Sequence, residues 1–256
     1  DHDHIDHFGS YTNLVEAFGT VITNVKDKCV INIDDTKLST FLRPGDISYS
    51  SSKNSYYKIN FPSSFNVDKE DYTITTKLIG EHFISNIVGA IALANQNGIS
   101  IDQCLNAIKH FDGVKRRTEY IGDFNGTNFY DDYGHHPTEI KATTKALKNN
   151  TSGKLIVIFQ PHRFTRTRDN YEDLRDSFDH SDLTLITDIY SAGEKPIPGI
   201  SSVMFEGKDI QYMKSPRLVP HFIKNNINPG DTVLTIGAGD ITLLGPQILK
   251  YLNENK

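Results

Sequence analysis

From about residue 118 onward the chain alternates short apolar runs with stretches of helical period, and this alternation constrains the fold more than any other feature. The apolar runs are TNFYDD (127–132), KLIVIFQ (154–160), LTLITDI (183–189) and DTVLTIGAG (231–239). Each has the length and the β-branched or aromatic content of a strand. Helical stretches follow most of them, at 138–149, 168–179 and 240–253. A parallel neighbour can be reached only through a crossover, and crossover helices cover the faces of the sheet. The pattern therefore predicts an α/β fold whose later part is a Rossmann-like, mostly parallel sheet with helices on both faces.

The earlier part reads differently. Residues 10–25 repeat apolar side chains at helical spacing (Leu14, Val15, Phe18, Val21, Ile22, Val25), with Ser10 as the N-cap. CVINID (29–34) is a short strand. Residues 46–80 hold the β-like runs DISYSSS, SYYKINF and DYTITTKLIG, broken by Pro62 and serines, which predict a small antiparallel sheet or meander. A helix over 84–97 ends at Gly98, and Ser100 with Gln103 forms a capping-box signal for a helix over 101–111. The pattern changes near residues 113–117, giving two expected domains, 1–115 and 116–256. A length of 256 residues is enough for both.

In open α/β sheets ligands bind outside the carboxyl ends of the strands. Four polar clusters occupy such positions: DDYGHHPTE, QPHRFTRTRD, DIYSAGEKPIPG and GAGD. Arg163, Arg166 and Arg168 follow a strand of buried type, and arginines so placed clamp carboxylates or phosphates through paired hydrogen bonds. A solvated helix start with ion pairs to Asp169 and Glu172 is the competing explanation. It suits Arg168 better than Arg163 and Arg166, which are expected to precede the helix and face the crevice. His135 and His136 could be metal ligands, acid–base groups or hydrogen-bond donors, and His136, directly before Pro137, also fits a helix cap. Asp132 and Tyr133 suit hydrogen bonds to a sugar or an amino acid. The opening DHDHIDH is either a metal site or a tail.

Composition narrows the function classes. A formal net charge of -5 gives no sign of a nucleic-acid surface. No run approaches the ~20 apolar residues of a membrane span. The two cysteines, Cys29 and Cys104, match neither a metal spacing nor a disulfide framework, and no signal peptide precedes the first helix, so a reducing, cytoplasmic setting is expected. No G-x-x-x-x-G-K-[ST] occurs, so no phosphate-cradling P-loop is expected within these residues. No G-x-G-x-x-G follows a first strand, which argues against a nicotinamide-dependent dehydrogenase.

Taken in order, DDYGHHPTE (131–139), FQPHRFTRTRD (159–169), DIYSAGEKPIPG (188–199) and GAGD (237–240) resemble the Mur ligases of peptidoglycan synthesis. A G-x-H-x-x-x-N pattern (Gly80, His82, Asn86), the pair Arg116-Arg117 and the opening D-H-I-D (3–6) extend the resemblance over essentially the whole chain. That family has a UDP-binding domain, a central ATPase and a C-terminal Rossmann-like domain. The resemblance starts late in the central domain, so the UDP-binding domain and the P-loop half are expected to be missing and the isolated chain to be inactive. The implied reaction joins L-alanine to UDP-N-acetylmuramate: ATP phosphorylates the muramoyl carboxylate, and the alanine amine attacks the acyl phosphate. ATP and Mg2+ are the implied cofactors, and the missing N-terminal half is the implied partner. Neither nucleic acid nor membrane is implied.

Residue by residue, the resemblance implies that His4 helps hold magnesium and that His82 and Asn86 contact adenine. Arg117 and Asp132 would contact ATP phosphate and ribose. Tyr133, His135, Arg163 and Arg166 would surround the amino acid and the reacting carboxylate. Phe83 departs from the pattern, since the family usually has asparagine there. Two alternatives are a non-catalytic nucleotide- or amino-acid-binding remnant of a split ligase and the related muropeptide-recycling ligase.

Overall fold

Ser10 opens the first long helix as its sequence dictates, its hydroxyl accepting a hydrogen bond from Asn13 N at 3.1 Å. The computed structural model describes residues 5–255, and the chain divides into two units, Asp1–Asp112 and Gly113–Lys256. In the first unit a single turn, α1 (Ile5–Phe8), precedes α2 (Tyr11–Asn24). Five strands follow, β1 (Val30–Asn32), β2 (Ile47–Ser50), β3 (Tyr57–Asn60), β4 (Ser64–Val67) and β5 (Glu70–Thr73), and then α3 (Glu81–Gln96) and α4 (Ile101–Lys109). The sheet order is β1-β2-β3-β4-β5. The expected antiparallel meander is only half of it: β3, β4 and β5 are antiparallel, whereas β1, β2 and β3 run parallel. The short runs of 46–80 give strand lengths but not strand directions, and so could not separate the two cases. Tyr57, Phe65, Ile59 and Val88 form the centre of the core, and the Tyr57 hydroxyl donates to Asn95 at 2.8 Å. Ser100 and Gln103 form the capping box that opens α4.

The apolar face of α2 is buried less than its periodicity suggests. Gly19 lies so close to the Phe41 ring that a Cβ would come within 2.4 Å, and Ile22 packs on Cys29, Ile31 and Ile33. The helix thus docks through Gly19 and Ile22, leaving Phe18 at 53% and Val21 at 64% exposure. One edge of β1 pairs with β2, and its other edge has no strand partner among the described residues.

Asp46 ties the helix, the loop and β1 together. Its carboxylate accepts from Cys29 N at 2.8 Å, Arg43 N at 2.9 Å and Arg43 Nη2 at 3.0 Å, while Arg43 also donates to the carbonyls of Val25 and Asp27. The Arg43 hydrogen bond, with the two backbone donors, holds the Asp46 carboxyl at about 2 instead of 3.8 against the opposing effect of burial. A carboxyl depressed on folding contributes stability that is full above its unfolded value and is lost as pH falls through the folded one. The difference corresponds to roughly 2 kcal/mol, lost between about pH 4 and pH 2. We expect Asp46→Asn to remove this part of the acid sensitivity, measured as unfolding free energy against pH. An unchanged slope between pH 4 and 2 would contradict it.

The second unit contains β6 (Glu119–Phe124), β7 (Thr127–Asp132), α5 (Pro137–Asn149), β8 (Leu155–Phe159), α6 (Phe164–Asp169), α7 (Tyr171–Arg175), β9 (Leu183–Ile186), β10 (Ile210–Tyr212), α8 (Val219–Asn226), β11 (Thr232–Ile236) and α9 (Leu244–Glu254). Its sheet runs β10-β9-β8-β11-β7-β6, parallel throughout except for β6, which is antiparallel to β7. β8 is buried along its whole length, as a central parallel strand must be. Ile156 and Ile158 join the core beneath α8 and α9, while α5 and the Phe178 ring, 5.1 Å from Phe159, pack against β8 as well.

The register sets up the site. Ile236 of β11 lies opposite both Asp132 and Phe159, and Phe159 lies opposite Ile186. Four parallel strands therefore end level, and the polar clusters leave the sheet from one edge.

Candidate active site

The second unit anchors its crevice from β7. Asp131, 2% exposed, accepts from Thr235 Oγ1 at 2.6 Å and Thr242 Oγ1 at 2.7 Å, with Arg116 Nε at 3.6 Å. Burial pushes its carboxyl above the ordinary value, although the two threonines and Arg116 pull the other way. Arg116 Nη2 donates to the carbonyls of Gly237 and Gly239 at 2.6 and 3.2 Å, which fastens the GAGD turn. Asp132, also buried, accepts from Thr118 N and Gly134 N, each at 2.7 Å. Burial raises its carboxyl too. Its visible work is to shape the loop that presents Tyr133 and His135.

The Tyr133 ring lies 4.7 Å from the Arg116 guanidinium and 5.8 Å from that of Arg117. Arg117 pairs with Glu139 at 3.4 Å, and His135 N donates to the same carboxylate at 3.1 Å. Burial raises the Glu139 carboxyl, but the amides of His135 and His136, the His135 ring and Arg117 outweigh it and hold it below its ordinary value. His136 takes the cap position: its Nδ1 accepts from Thr138 N at 3.4 Å, directly ahead of Pro137.

The arginines are arranged otherwise than their spacing suggests. Arg166 does not precede the helix but lies within α6, which begins at Phe164, and Arg163 is the N-cap of that helix. The expected helix over 168–179 is instead α6, α7 and a 3-10 turn over Asp176–Phe178. The early start follows from Arg163, whose φ of 71° lets the chain turn sharply out of the strand. A non-glycine residue there costs about 1–3 kcal/mol, and its surroundings hold it in place. Arg163 N donates to Tyr190 O at 2.8 Å, Arg163 Nε to Glu194 at 2.8 Å, and Thr165 N and Oγ1 to the same carboxylate. Burial raises the Glu194 carboxyl, but Thr165 and Arg163 overcome it and lower the net value.

Arg166 Nη1 lies 3.3 Å from His162 Nδ1. The rings of Tyr133, His135, His162 and Tyr190 follow one another at centroid distances of 5.4, 5.8 and 5.6 Å, forming an aromatic row beside the arginines. The glycines of GAGD fit this packing. A Cβ on Gly239 would come within 2.3 Å of Gln160 Oε1 and 2.7 Å of the Tyr190 ring. Arg168, by contrast, is exposed and bonds its neighbour Asp169.

His82 and Asn86 belong to the first unit, one turn apart on α3. The His82 ring lies 4.4 Å from that of Phe83, and Asn86 lines an open cleft with Val30, Tyr49, Gly89, Ala90 and Leu93. His4 lies outside the described residues. Among the described residues no cluster of three or more His, Cys, Asp or Glu could hold a metal ion. Sequence reasoning gave no role to Glu194, Glu139, Gln160, His162 or Tyr190. Glu194 had a usable signal, a carboxylate in the loop facing an arginine-rich one. The glycine that follows Ala238 marked a close approach without saying of what.

The second unit can thus offer a carboxylate or phosphate two guanidinium groups, one fixed by Glu194 and one beside an imidazole, against an aromatic wall.

Comparison with known proteins places this geometry. The family model described as "Mur ligase middle domain" matches residues 1–94, and that described as "Mur ligase, glutamate ligase domain" matches residues 116–239. The UDP-N-acetylmuramate–L-alanine ligase of Desulforamulus reducens is 31% identical over 98% of this chain and 59% of the relative's length. That of Endomicrobium trichonymphae is 36% identical over 98% of the chain and 60% of the relative. The chain therefore spans about 59% of the length of the curated relatives it matches. Among solved structures, UDP-N-acetylmuramate-alanine ligase from Thermotoga maritima superposes with a TM-score of 0.80 at 23% identity, covering 100% of this chain and 58% of that one. A MurF ligase from Thermotoga maritima in complex with ADP gives 0.79 at 16% identity, covering 99% and 61%. At such identities these likenesses speak for the fold alone. With the two family models covering most of the sequence in order, and the motifs at the level strand ends, the chain belongs to the Mur ligase family.

Proposed function

We propose that this chain supplies the amino-acid side of an ATP-dependent ligase that joins L-alanine to UDP-N-acetylmuramate. The carrying observation is the level strand edge that sets Arg163 and Arg166 beside the aromatic row of Tyr133, His135, His162 and Tyr190. Residues 1–115 are read as part of the ATP-binding domain and residues 116–256 as the ligase domain.

Arg166 and Arg163 would hold the carboxylate of the incoming amino acid and offset the charge that develops as its amine attacks. Tyr133 and His135 would flank that amino acid, and an alanine side chain suits so aromatic a wall. ATP, when bound, supplies the phosphoryl group that activates the muramoyl carboxylate, and Mg2+ offsets its charge. The Asn86 amide, set in a cleft otherwise lined mainly by apolar groups and the Tyr49 ring, fits the donor and acceptor edge of adenine. His82 stands one turn away, Arg117 and Asp132 are the ligase-domain candidates for phosphate and ribose, and His4 is the candidate for magnesium.

The remaining length of the relatives is the proposed partner. Among the described residues one edge of β1 has no strand partner, and α2, packed on Ile31 and its neighbours through Ile22, keeps Phe18 and Val21 exposed. Assayed alone, the chain is expected to release no alanine-dependent phosphate from ATP. A chimaera in which it replaces the matched part of the Desulforamulus reducens ligase is expected to do so. Equal turnover by the isolated chain would overturn the proposal that the remaining part of the enzyme is required.

A further inference from the structure

His162 stands where α6 begins, and its ring is held on two sides. It stacks on Tyr190 at 5.6 Å with an interplanar angle of 14°, and the backbones of His162 and Tyr190 form a parallel bridge. Its Nδ1 faces Arg166 Nη1 at 3.3 Å. A guanidinium nitrogen can only donate, so this contact requires an Nδ1 that accepts, and in a neutral ring the proton then sits on Nε2. A protonated ring would turn an N–H towards the guanidinium and set two cations against each other.

We propose that His162 is a positioning residue: as a neutral imidazole with a free Nδ1 lone pair it fixes the guanidinium of Arg166 for the carboxylate of the amino acid. This rests on the ligase reading for the identity of the carboxylate, but not for the contact itself. The groups facing the ring agree. Arg166 of α6, Arg163 at its cap and His135 from the loop after β7 all disfavour a charge on His162, while only Glu194 from the loop after β9 favours one. Burial, the largest effect, joins these three groups to hold its pKa down to about 4. The contact is therefore present throughout the neutral range and is lost as pH falls through about 4.

The test begins on the chain as it exists, labelled with 15N at histidine and arginine. His162 is expected to show the Nε2–H tautomer and no titration between pH 8 and 5. An Nδ1–H tautomer, or titration near the ordinary histidine value, would overturn the proposal. The Arg166 guanidinium signals are expected to stay resolved in the parent and in His162→Asn, whose amide oxygen can accept in place of Nδ1, and to average in His162→Ala. Equal behaviour of the two variants would also overturn it. In the chimaera, His162→Ala should raise KM for L-alanine by about 10-fold with a smaller change in kcat, and His162→Asn should recover most of it. If the chimaera never uses L-alanine, the ligase reading fails while the tautomer and guanidinium signals still decide the positioning role.

Discussion

Arg166→Ala is expected to lower kcat/KM for L-alanine by about 100-fold or more in the chimaeric ligase, with the fold intact. The guanidinium lies on α6, beside a neutral imidazole, at the edge where four strands end level. Its removal takes away a cation positioned for a carboxylate and leaves the apolar core beneath untouched. Arg166→Lys should recover little, because an ammonium cannot reproduce the paired geometry of the fork. Arg168→Ala is the matched control: that side chain is exposed and bonds Asp169 next to it, so its loss should change the rate by no more than about twofold. Steady-state kinetics on the three variants, with circular dichroism to confirm folding, check this. A full-rate Arg166→Ala variant would remove Arg166 from the site.

The largest expected effect on stability is at Asp131. It is buried, accepts from two threonine hydroxyls, and lies 3.6 Å from Arg116 Nε, which is itself buried without a hydrogen bond. Asp131→Ala takes the carboxylate from both threonines and from Arg116 at once, leaving Thr235 its longer contact with Tyr130 O at 3.3 Å and loosening the guanidinium that holds the GAGD turn. We expect a loss of about 3 kcal/mol, less than for a fully buried pair because Arg116 keeps some solvent contact, and a fall in the melting temperature of the second unit of about 10 °C. Asp131→Asn, whose single amide oxygen can still accept from one of the two threonines, should lose about half as much. Calorimetry on the chain distinguishes these outcomes, and an unchanged melting temperature for Asp131→Ala would show that the cluster contributes nothing net.

The parallel sheet was legible because its strands are continuous apolar runs, a pattern that arises only where both faces are covered; β8 is the clearest case. The caps at Ser10, Ser100 and His136 were legible because each depends on a local sequence offset. What the sequence could not give depends on contacts distant along the chain. The direction of β2 and β3 has no local signal. The helix at Arg163 starts early because Tyr190 and Glu194, about thirty residues on, hold a backbone conformation that no local preference favours. The exposed side of α2 follows from the approach of Phe41 to Gly19, which no helical period encodes. The candidate site divides the same way. Arginine-rich and histidine-rich motifs mark themselves, whereas Gln160, Glu194 and Tyr190, which hold them in place, are ordinary residues until the fold sets them there.

The proposed role, completing a ligase for L-alanine and UDP-N-acetylmuramate, is decided by mass-spectrometric detection of the ligated product made by the chimaera. UDP-N-acetylmuramoyl-L-alanine is expected to form only when ATP, Mg2+, both substrates and this chain are all present, with one phosphate released per product. A folded chimaera that binds ATP yet makes no such product, or product formation by the Desulforamulus reducens portion without this chain, would contradict it.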